Sequence, residues 1–260
     1  MTRGKRCNGC GDGLALDFDF TMAFQPIVDL AGRSVWGYEA LVRGLSGEPA
    51  GHVLNLVTAE NRYRFDQACR VKAIELAGSL YEGRPYKLSI NFMPNAVYEP
   101  AACIRTSLQA ADRVGLARDQ LMFEFTENEK MEDVAKVRHI VQEYKRFGFI
   151  TALDDFGSGY AGLGLLASFQ PNLIKLDMEL IRNVHRDPAR QAIVAGVVGI
   201  GRDLGIEVLG EGVENADEAN TLASAGISLM QGYYFARPLI EGLPTAHTLL
   251  DKASADKAVA

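Results

Sequence analysis

Acidic side chains stand at the ends of several apolar runs in this 260-residue chain: Glu39, Glu124, Asp154, Asp155 and Glu211. If those runs are neighbouring parallel strands, their carboxyl ends meet at one edge and bring the five carboxylates together. Like charges a few ångströms apart cannot all stay ionised without raised pKa values or bound cations. Carboxylate oxygens suit Mg²⁺ or Mn²⁺ better than zinc. Any one of these acids alone would more simply be a helix cap or a solvated loop residue.

Two further polar residues extend the set. Asn91 ends another apolar run and offers an amide oxygen, and Lys175 lies within LIKLD (173–177). The adjacent pair Asp154 and Asp155 could serve two cations about 3.5–4 Å apart, an arrangement that clamps the attacking and leaving oxygens of phosphoryl transfer. Lys175 could then hold or deprotonate the attacking water, or neutralise developing charge. The simpler alternative for Lys175 is an ion pair with Asp177 that only orders this edge.

Short apolar runs alternate with longer segments of helical periodicity, and this alternation must position the acids. The predicted strands are 22–28, 34–42, 86–91, 121–126, 149–155, 173–177, 206–211 and 227–232. The predicted helices are 53–80, 95–115, 131–147, 160–168, 178–185, 188–204 and 215–225. Gly115, Gly148, Gly205 and Gly226 follow helical segments, where glycine commonly ends a helix.

Alternating strands and helices predict a parallel sheet with crossover connections, and about eight such units fit a closed (β/α)8 barrel of the α/β class. A doubly wound open sheet is the alternative architecture. The linker LAGR (30–33) is too short for a crossover helix. The first two strands should therefore be antiparallel, which makes the start of the barrel irregular.

Composition narrows the function classes. The chain is 48% hydrophobic and 23% charged, with a net charge of −6, which argues against a general DNA or RNA binder. No apolar run reaches membrane-spanning length, and the basic N-terminus lacks the apolar core of a secretory signal, so we expect a cytoplasmic protein without a membrane partner. Residues 1–20 are predicted to be a flexible tail. Its Cys7-x-x-Cys10 alternatively forms half a zinc site or a redox pair.

Two familiar motifs in the middle of the chain do not have the sequence context that their usual functions require. Residues 157–162 match the dinucleotide-binding glycine pattern, but in the fifth strand–helix unit rather than the first. Asp155-Phe156-Gly157 matches a kinase motif, but the other kinase motifs are absent from the sequence. We interpret the glycines as a flexible, anion-tolerant loop at the edge where the acids collect.

Eight motifs in order resemble the EAL-domain cyclic di-GMP phosphodiesterases. They are QPIVD (25–29), YEALVR (38–43), SINFMP (89–94), FEFTEN (123–128), DDFGSGYAGL (154–163), IKLD (174–177), EGVEN (211–215) and QGYYFARP (231–238). The resemblance covers roughly residues 22–245. It implies a barrel with an antiparallel first strand over residues 21–248, followed by a C-terminal tail (249–260). The departures, GSGYAGLG for GTGYSSL and NFMP for NLSP, affect loops rather than acids.

The resemblance also implies an activity and roles for individual residues. The reaction is hydrolysis of one phosphodiester of cyclic di-GMP to linear pGpG with two cations, Mg²⁺ or Mn²⁺, while Ca²⁺ inhibits. The implied metal ligands are Glu39, Asn91, Glu124, Asp154, Asp155 and Glu211, with Lys175 on the nucleophilic water. Glu127 is expected to anchor the loop after Asp155, which shapes the metal site and a homodimer interface. The implied substrate contacts are Gln25, Arg43, Asp66 (facing a guanine), Gln231 and Pro238.

Two other function classes stay open at this stage. A non-catalytic cyclic di-GMP receptor would bind the nucleotide without useful turnover, and a protein-interaction module would use the helical outer surface. The sequence does not identify the regulatory input. A separate regulatory protein, or the cysteines of the N-terminal segment, could supply it.

Overall fold

Eight strands close into a barrel in the computed structural model, which describes residues 16–97, 99–126, 134–159 and 162–244. The strands are β1 (Thr21–Asp29), β2 (Ser34–Arg43), β3 (Lys87–Asn91), β4 (Leu121–Thr126), β5 (Ile150–Phe156), β6 (Leu173–Leu176), β7 (Glu207–Gly210) and β8 (Leu229–Met230). Their order around the barrel follows the chain, and a β1–β2 pairing completes the ring. The predicted barrel is confirmed, and the open-sheet alternative is wrong. Every predicted strand lies within two residues of an observed one.

The first strand is the exception to parallel pairing. β1 runs antiparallel to both β2 and β8, whereas the remaining neighbours from β2 to β8 are parallel. This confirms the antiparallel start predicted from the short linker. A ninth strand, β9 (Leu239–Ile240), pairs with β1 outside the ring. It was not predicted, because a strand of two exposed residues leaves no periodicity in the sequence.

Helices cover the outside of the barrel. They are α1 (Ala50–Leu54), α2 (Arg62–Tyr81), α3 (Pro100–Cys103), α4 (Arg105–Val114), α5 (Val134–Arg146), α6 (Gly162–Ser168), α7 (Met178–Ile181), α8 (Pro188–Leu204) and α9 (Ala216–Ser224). Three predicted helices are each wrong as a single unit. Segment 53–80 is broken by turns at 55–61, and segment 95–115 is broken into a 3-10 turn and two helices. Segment 178–185 is broken into α7 and a 3-10 turn at Val184–Arg186.

Helix α8 shows how the sequence sets such boundaries. Asp187 accepts hydrogen bonds from the amides of Ala189 and Arg190, and Pro188 occupies the first helical position, where a missing amide costs nothing. Gly205 ends the helix with a φ of +68°, a left-handed conformation that favours glycine. The observed bounds therefore equal the predicted ones.

The barrel interior is built in layers because alternate strand residues point inward. An apolar layer fills one end: Ile27, Met122, Ala152, Leu173, Leu209 and Leu229. The next inward positions, toward the carboxyl ends of the parallel strands, are all polar: Gln25, Glu124, Asp154, Lys175, Glu211 and Gln231. Along each of these strands, inward-facing residues two positions apart thus belong to the apolar core and to the polar layer that could carry out chemistry.

Some predictions concern residues outside the described part of the chain. These are the role of Glu127, the Cys7/Cys10 pair and the C-terminal tail from 249. Among the described residues, no helix combines the length and apolarity needed to cross a bilayer.

Candidate active site

The ammonium group of Lys175 lies at the centre of the polar layer, in contact with four carboxylates. Its Nζ is 2.7 Å from Glu211 Oε1, 2.9 Å from Glu124 Oε2, 3.0 Å from Asp154 Oδ1 and 3.4 Å from Glu39 Oε2. The lysine side chain is 1% exposed and that of Glu124 is 0% exposed. These contacts join β2, β4, β5, β6 and the end of β7, so the fold brings together acids that are up to 172 positions apart in the sequence.

Three amide side chains extend the network. Asn91 Nδ2 donates to Glu39 Oε1 at 2.9 Å, and Gln231 Nε2 donates to Glu39 Oε2 at 2.8 Å. Gln231 also donates to Gln25 Oε1 at 3.2 Å, and Gln25 Nε2 donates to the carbonyl of Ala236 at 3.2 Å. Both oxygens of Glu39 are therefore oriented by amides from two different strand ends.

Burial and mutual repulsion raise the pKa values of two acids in the cluster, Glu124 and Glu211. Burial raises the pKa of Glu124 to about 8; Lys175 opposes that shift, and the neighbouring carboxylates of Glu39 and Asp154 add to it. The pKa of Glu211 is likewise held well above its usual value, first by burial and then by Asp154. Burial alone would lower the pKa of Lys175, but the surrounding carboxylates raise it well above the ordinary value. Without added cations, Glu124 and Glu211 thus keep their protons to a higher pH than exposed glutamates do.

A backbone irregularity places the fifth acid. Adjacent residues of a regular strand point to opposite faces of the sheet. If β5 were regular, Asp154 and Asp155 could therefore not both point into the mouth of the barrel, the opening at the carboxyl ends of the parallel strands. The β5–β6 register shifts between Leu153 and Phe156, and Asp155 has a φ of +54°, in the left-handed region that is rare for non-glycine residues. Such bulges re-aim side chains next to active sites. One oxygen each of Asp154, Asp155 and Glu211 lie within 4.8 Å of one another.

Asp155 is half-buried, and its pKa is affected by the neighbouring carboxylates. Burial and the carboxylates of Asp154 and Asp177 raise its pKa to about 6. Asp177 itself accepts a hydrogen bond from the Glu179 amide and caps α7. It makes no ion pair with Lys175, so the alternative in which those two residues only order the rim is wrong.

The donor set fits divalent cations. Five carboxylates and one amide oxygen are ligands that Mg²⁺ and Mn²⁺ prefer. The Gln231 Oε1 atom is buried and accepts no hydrogen bond from any described residue. Buried polar atoms normally have partners, so an unpaired oxygen at this mouth favours a bound ion, water or ligand.

The expected substrate contacts are spread around the mouth. Arg43 is partly exposed at the end of β2, with Nη1 donating to its neighbour's carbonyl, and Pro238 is partly exposed beyond β8. Beside the mouth lies a cavity of about 680 Å³, whose largely apolar lining includes Leu41 and Asn91. Asp66 lines it too, but both of its carboxylate oxygens are engaged within the protein, by Arg70 and by the Met93 amide.

The model of the EAL domain family matches residues 14–238. This chain belongs to the EAL domain family. Two curated relatives of the EAL domain are the blue light- and temperature-regulated antirepressor BluF of Escherichia coli strain K12 and the cyclic di-GMP phosphodiesterase RocR of Pseudomonas aeruginosa. The chain is 33% identical to BluF (86% of this chain, 55% of BluF) and 32% identical to RocR (86% of this chain, 58% of RocR). It spans a little over half the length of each.

Solved EAL structures agree with the barrel described here. A standalone versatile EAL protein from Vibrio cholerae O395, in its c-di-GMP bound form, is 56% identical with a TM-score of 0.85, covering 89% of this chain and 97% of that chain. BlrP1 of Klebsiella pneumoniae, in a manganese/cy-diGMP complex, is 39% identical with a TM-score of 0.81, covering 86% of this chain and 57% of that chain. The resemblance inferred from the eight motifs is confirmed at the level of family and fold.

The EAL barrel contains one support that the sequence reasoning missed. Glu218 in α9 is 2% exposed, and its two oxygens accept hydrogen bonds from the amides of Asn183 and Glu214. It therefore ties the segment after β6 to the segment after β7, next to Glu211. The sequence signal for this support was the spacing of Asn215 and Glu218, which is typical of a helix N-terminus. The Asn215 side chain caps α9 by accepting a hydrogen bond from the Glu218 amide.

Proposed function

We propose that this EAL domain protein is a cyclic di-GMP phosphodiesterase that hydrolyses one phosphodiester bond to give linear pGpG. The observation that carries the proposal is the carboxylate cluster around Lys175, defined as Glu39, Glu124, Asp154, Asp155 and Glu211. An anionic dinucleotide would not approach such a cluster unless cations reversed its sign.

Formal charge supports a pair of cations. With all five carboxylates ionised and Lys175 protonated, the cluster would carry four negative charges in a largely buried mouth. Two divalent cations balance that charge without requiring any acid to hold a proton. The raised pKa values of Glu124 and Glu211 are what a cluster that lacks those cations should display.

Six residues would hold the cations, namely Glu39, Asn91, Glu124, Asp154, Asp155 and Glu211. When bound, Mg²⁺ or Mn²⁺ supplies charge neutralisation at the phosphate and an activated water. Glu39 is held for this role by Asn91 and Gln231. The bulge at Asp155 aims a second β5 carboxylate at the same mouth.

Lys175 would orient the attacking water and stabilise charge developing on the phosphate. Its position among four carboxylates also limits how far those side chains can spread. Arg43, which offers a guanidinium fork, would contact a phosphate, and Gln25 and Gln231 would contact the nucleotide from β1 and β8. Pro238 would lie against a base at the far rim.

Assembly and control are part of the proposal. We expect a homodimer formed through the loop after Asp155, with Glu127 anchoring that loop, and a separate protein as the regulatory input. Dimer formation would couple to catalysis because the same loop begins at a proposed metal ligand. Turnover per protomer should then rise with protein concentration until dimerisation is complete.

The test is a turnover assay with purified protein and cyclic di-GMP in Mg²⁺, Mn²⁺ or Ca²⁺, at several protein concentrations. We expect pGpG with Mg²⁺ and Mn²⁺ and inhibition by Ca²⁺. Glu179→Ala is the control for substitution of a carboxylate in the cluster, because this exposed glutamate lies in the first turn of α7 and donates a hydrogen bond to Asp177 through its backbone amide, which the substitution keeps. Tight nucleotide binding without turnover in either Mg²⁺ or Mn²⁺ would instead identify a receptor.

A further inference from the structure

A fully buried ion pair lies in the helical layer outside β3. Arg70 is 0% exposed and Asp66 is 3% exposed, both on α2, with Arg70 Nη2 2.5 Å from Asp66 Oδ2. Arg70 Nη1 also donates to the Tyr144 hydroxyl of α5 at 3.3 Å. Buried ion pairs are weak evidence for stability, because desolvation offsets their attraction. A role for the Asp66–Arg70 pair besides stability is therefore to be sought in its other contacts.

The second oxygen of Asp66 identifies that role. Asp66 Oδ1 accepts a hydrogen bond from the Met93 amide at 2.9 Å, at the point where the chain leaves β3. One residue earlier, the Phe92 amide donates to the carbonyl of Glu124 at 2.9 Å. The segment that follows Asn91 is therefore held by the sheet on one side and by the helical layer on the other.

Side-chain packing couples the same elements. The Phe92 ring lies 5.5 Å from the ring of Tyr144, whose hydroxyl accepts from Arg70. Phe92 also packs edge-on against Phe125 of β4 at 5.9 Å. Rotation of the strand end would break the Met93 hydrogen bond and disturb this aromatic contact together, so the position of Asn91 is fixed from behind.

We propose that Asp66 is a positioning residue that sets Asn91 for divalent cation binding. Arg70 balances the buried charge of Asp66, Asp66 fixes the Met93 amide, and the resulting strand end presents Asn91 to Glu39 at 2.9 Å. This inference rests on the proposed cation site. It assigns Asp66 to orienting a ligand, a type of support whose loss commonly weakens metal affinity about 10- to 100-fold.

Two charge-neutral double variants separate positioning from general stability. Asp66→Asn/Arg70→Met keeps an oxygen that can accept from Met93, whereas Asp66→Leu/Arg70→Met has nearly the same shape and no acceptor. Mn²⁺ binding is measured without nucleotide, by electron paramagnetic resonance of the free ion. We expect the Asn variant to bind Mn²⁺ about as tightly as the unmodified chain, and the Leu variant to bind about 10- to 100-fold more weakly.

Unfolding midpoints are recorded for both variants, and Asp66→Ala/Arg70→Met repeats the comparison without the branched Leu side chain. Equal Mn²⁺ affinity with and without the acceptor would overturn the positioning role, whatever the midpoints. An Asn variant as weak as the Leu variant would overturn it as well. An unmodified chain that binds no Mn²⁺ would remove the proposed cation site and this inference together. Mn²⁺ binding without turnover would overturn the phosphodiesterase alone.

Discussion

Removing divalent cations should make the stability of this protein fall as pH rises from 5 to 8. The cause is Glu124, whose pKa is raised from 4.5 to about 8 in the folded chain, first by burial. A carboxyl group with a raised folded-state pKa stabilises the fold below its unfolded pKa. That contribution is lost as pH rises through the folded pKa, because the folded state binds more protons than the unfolded state.

The magnitude follows from the two pKa values. For a single group shifting from 4.5 to about 8, linkage predicts a loss of about 3 to 4 kcal/mol of unfolding free energy between pH 5 and pH 8. That loss corresponds to about 6 to 16 °C in Tm for a domain of this size. Glu211 is shifted in the same direction, so the unmodified chain should lose at least this much.

The assay is thermal unfolding followed by circular dichroism, in chelator and in saturating Mn²⁺, at pH 5 and pH 8. Because Mn²⁺ takes the place of the retained protons, its stabilising effect should be larger at pH 8. Glu124→Gln is the matched control, because the amide of Gln is neutral at both pH values. This substitution should reduce the fall in metal-free Tm between pH 5 and pH 8. A metal-free Tm that does not fall between pH 5 and pH 8 would refute the reasoning. So would a Gln variant that loses stability as steeply as the unmodified chain.

Four further substitutions, at three residues, test the site. Glu39→Ala should abolish pGpG release, while calorimetry in Ca²⁺ still detects cyclic di-GMP binding through Gln25 and Arg43; full activity would contradict the ligand role of Glu39. Lys175→Met should lower kcat about 100- to 1000-fold at saturating Mn²⁺, and an unchanged kcat would remove Lys175 from the chemistry. Asp155→Asn should keep the left-handed backbone and the Tm but weaken Mn²⁺ binding, whereas Asp155→Val should also cost about 1–2 kcal/mol of stability; equal stability of the two would contradict the backbone argument.

Much of the fold could be predicted because each of the eight barrel strands lies in an apolar run with clear ends. The short linker at 30–33 even predicted the antiparallel start. The break between α1 and α2 could not be predicted, since Leu56 and Val57 continue the apolar spacing of Val53 while the backbone turns at 55–61. Apolar spacing predicts burial, but Leu56 is 43% exposed and no residue of 55–61 is buried, so the spacing there does not mark a packed helix face.

The site was predicted in its membership but not in its geometry. Five acids at strand ends indicated a cluster, whereas the four contacts of Lys175 depend on inter-strand register. The bulge at Asp155 comes from a local backbone conformation that no spacing rule encodes. The expected base contact of Asp66 stays a prediction. Both of its oxygens are engaged, by Arg70 and by Met93. The Met93 contact could not be predicted from the sequence, because Met93 lies 27 positions away and donates through its backbone amide.

The most direct test of the central claim is mass spectrometry of cyclic di-GMP incubated with the protein in ¹⁸O-labelled water and Mn²⁺. The account predicts linear pGpG carrying one ¹⁸O atom in its terminal phosphate, because hydrolysis of one phosphodiester adds one solvent oxygen to phosphorus. The label should be absent when chelator replaces Mn²⁺. Cyclic di-GMP recovered intact in both Mn²⁺ and Mg²⁺, from protein that binds both the cation and the nucleotide, would contradict the account.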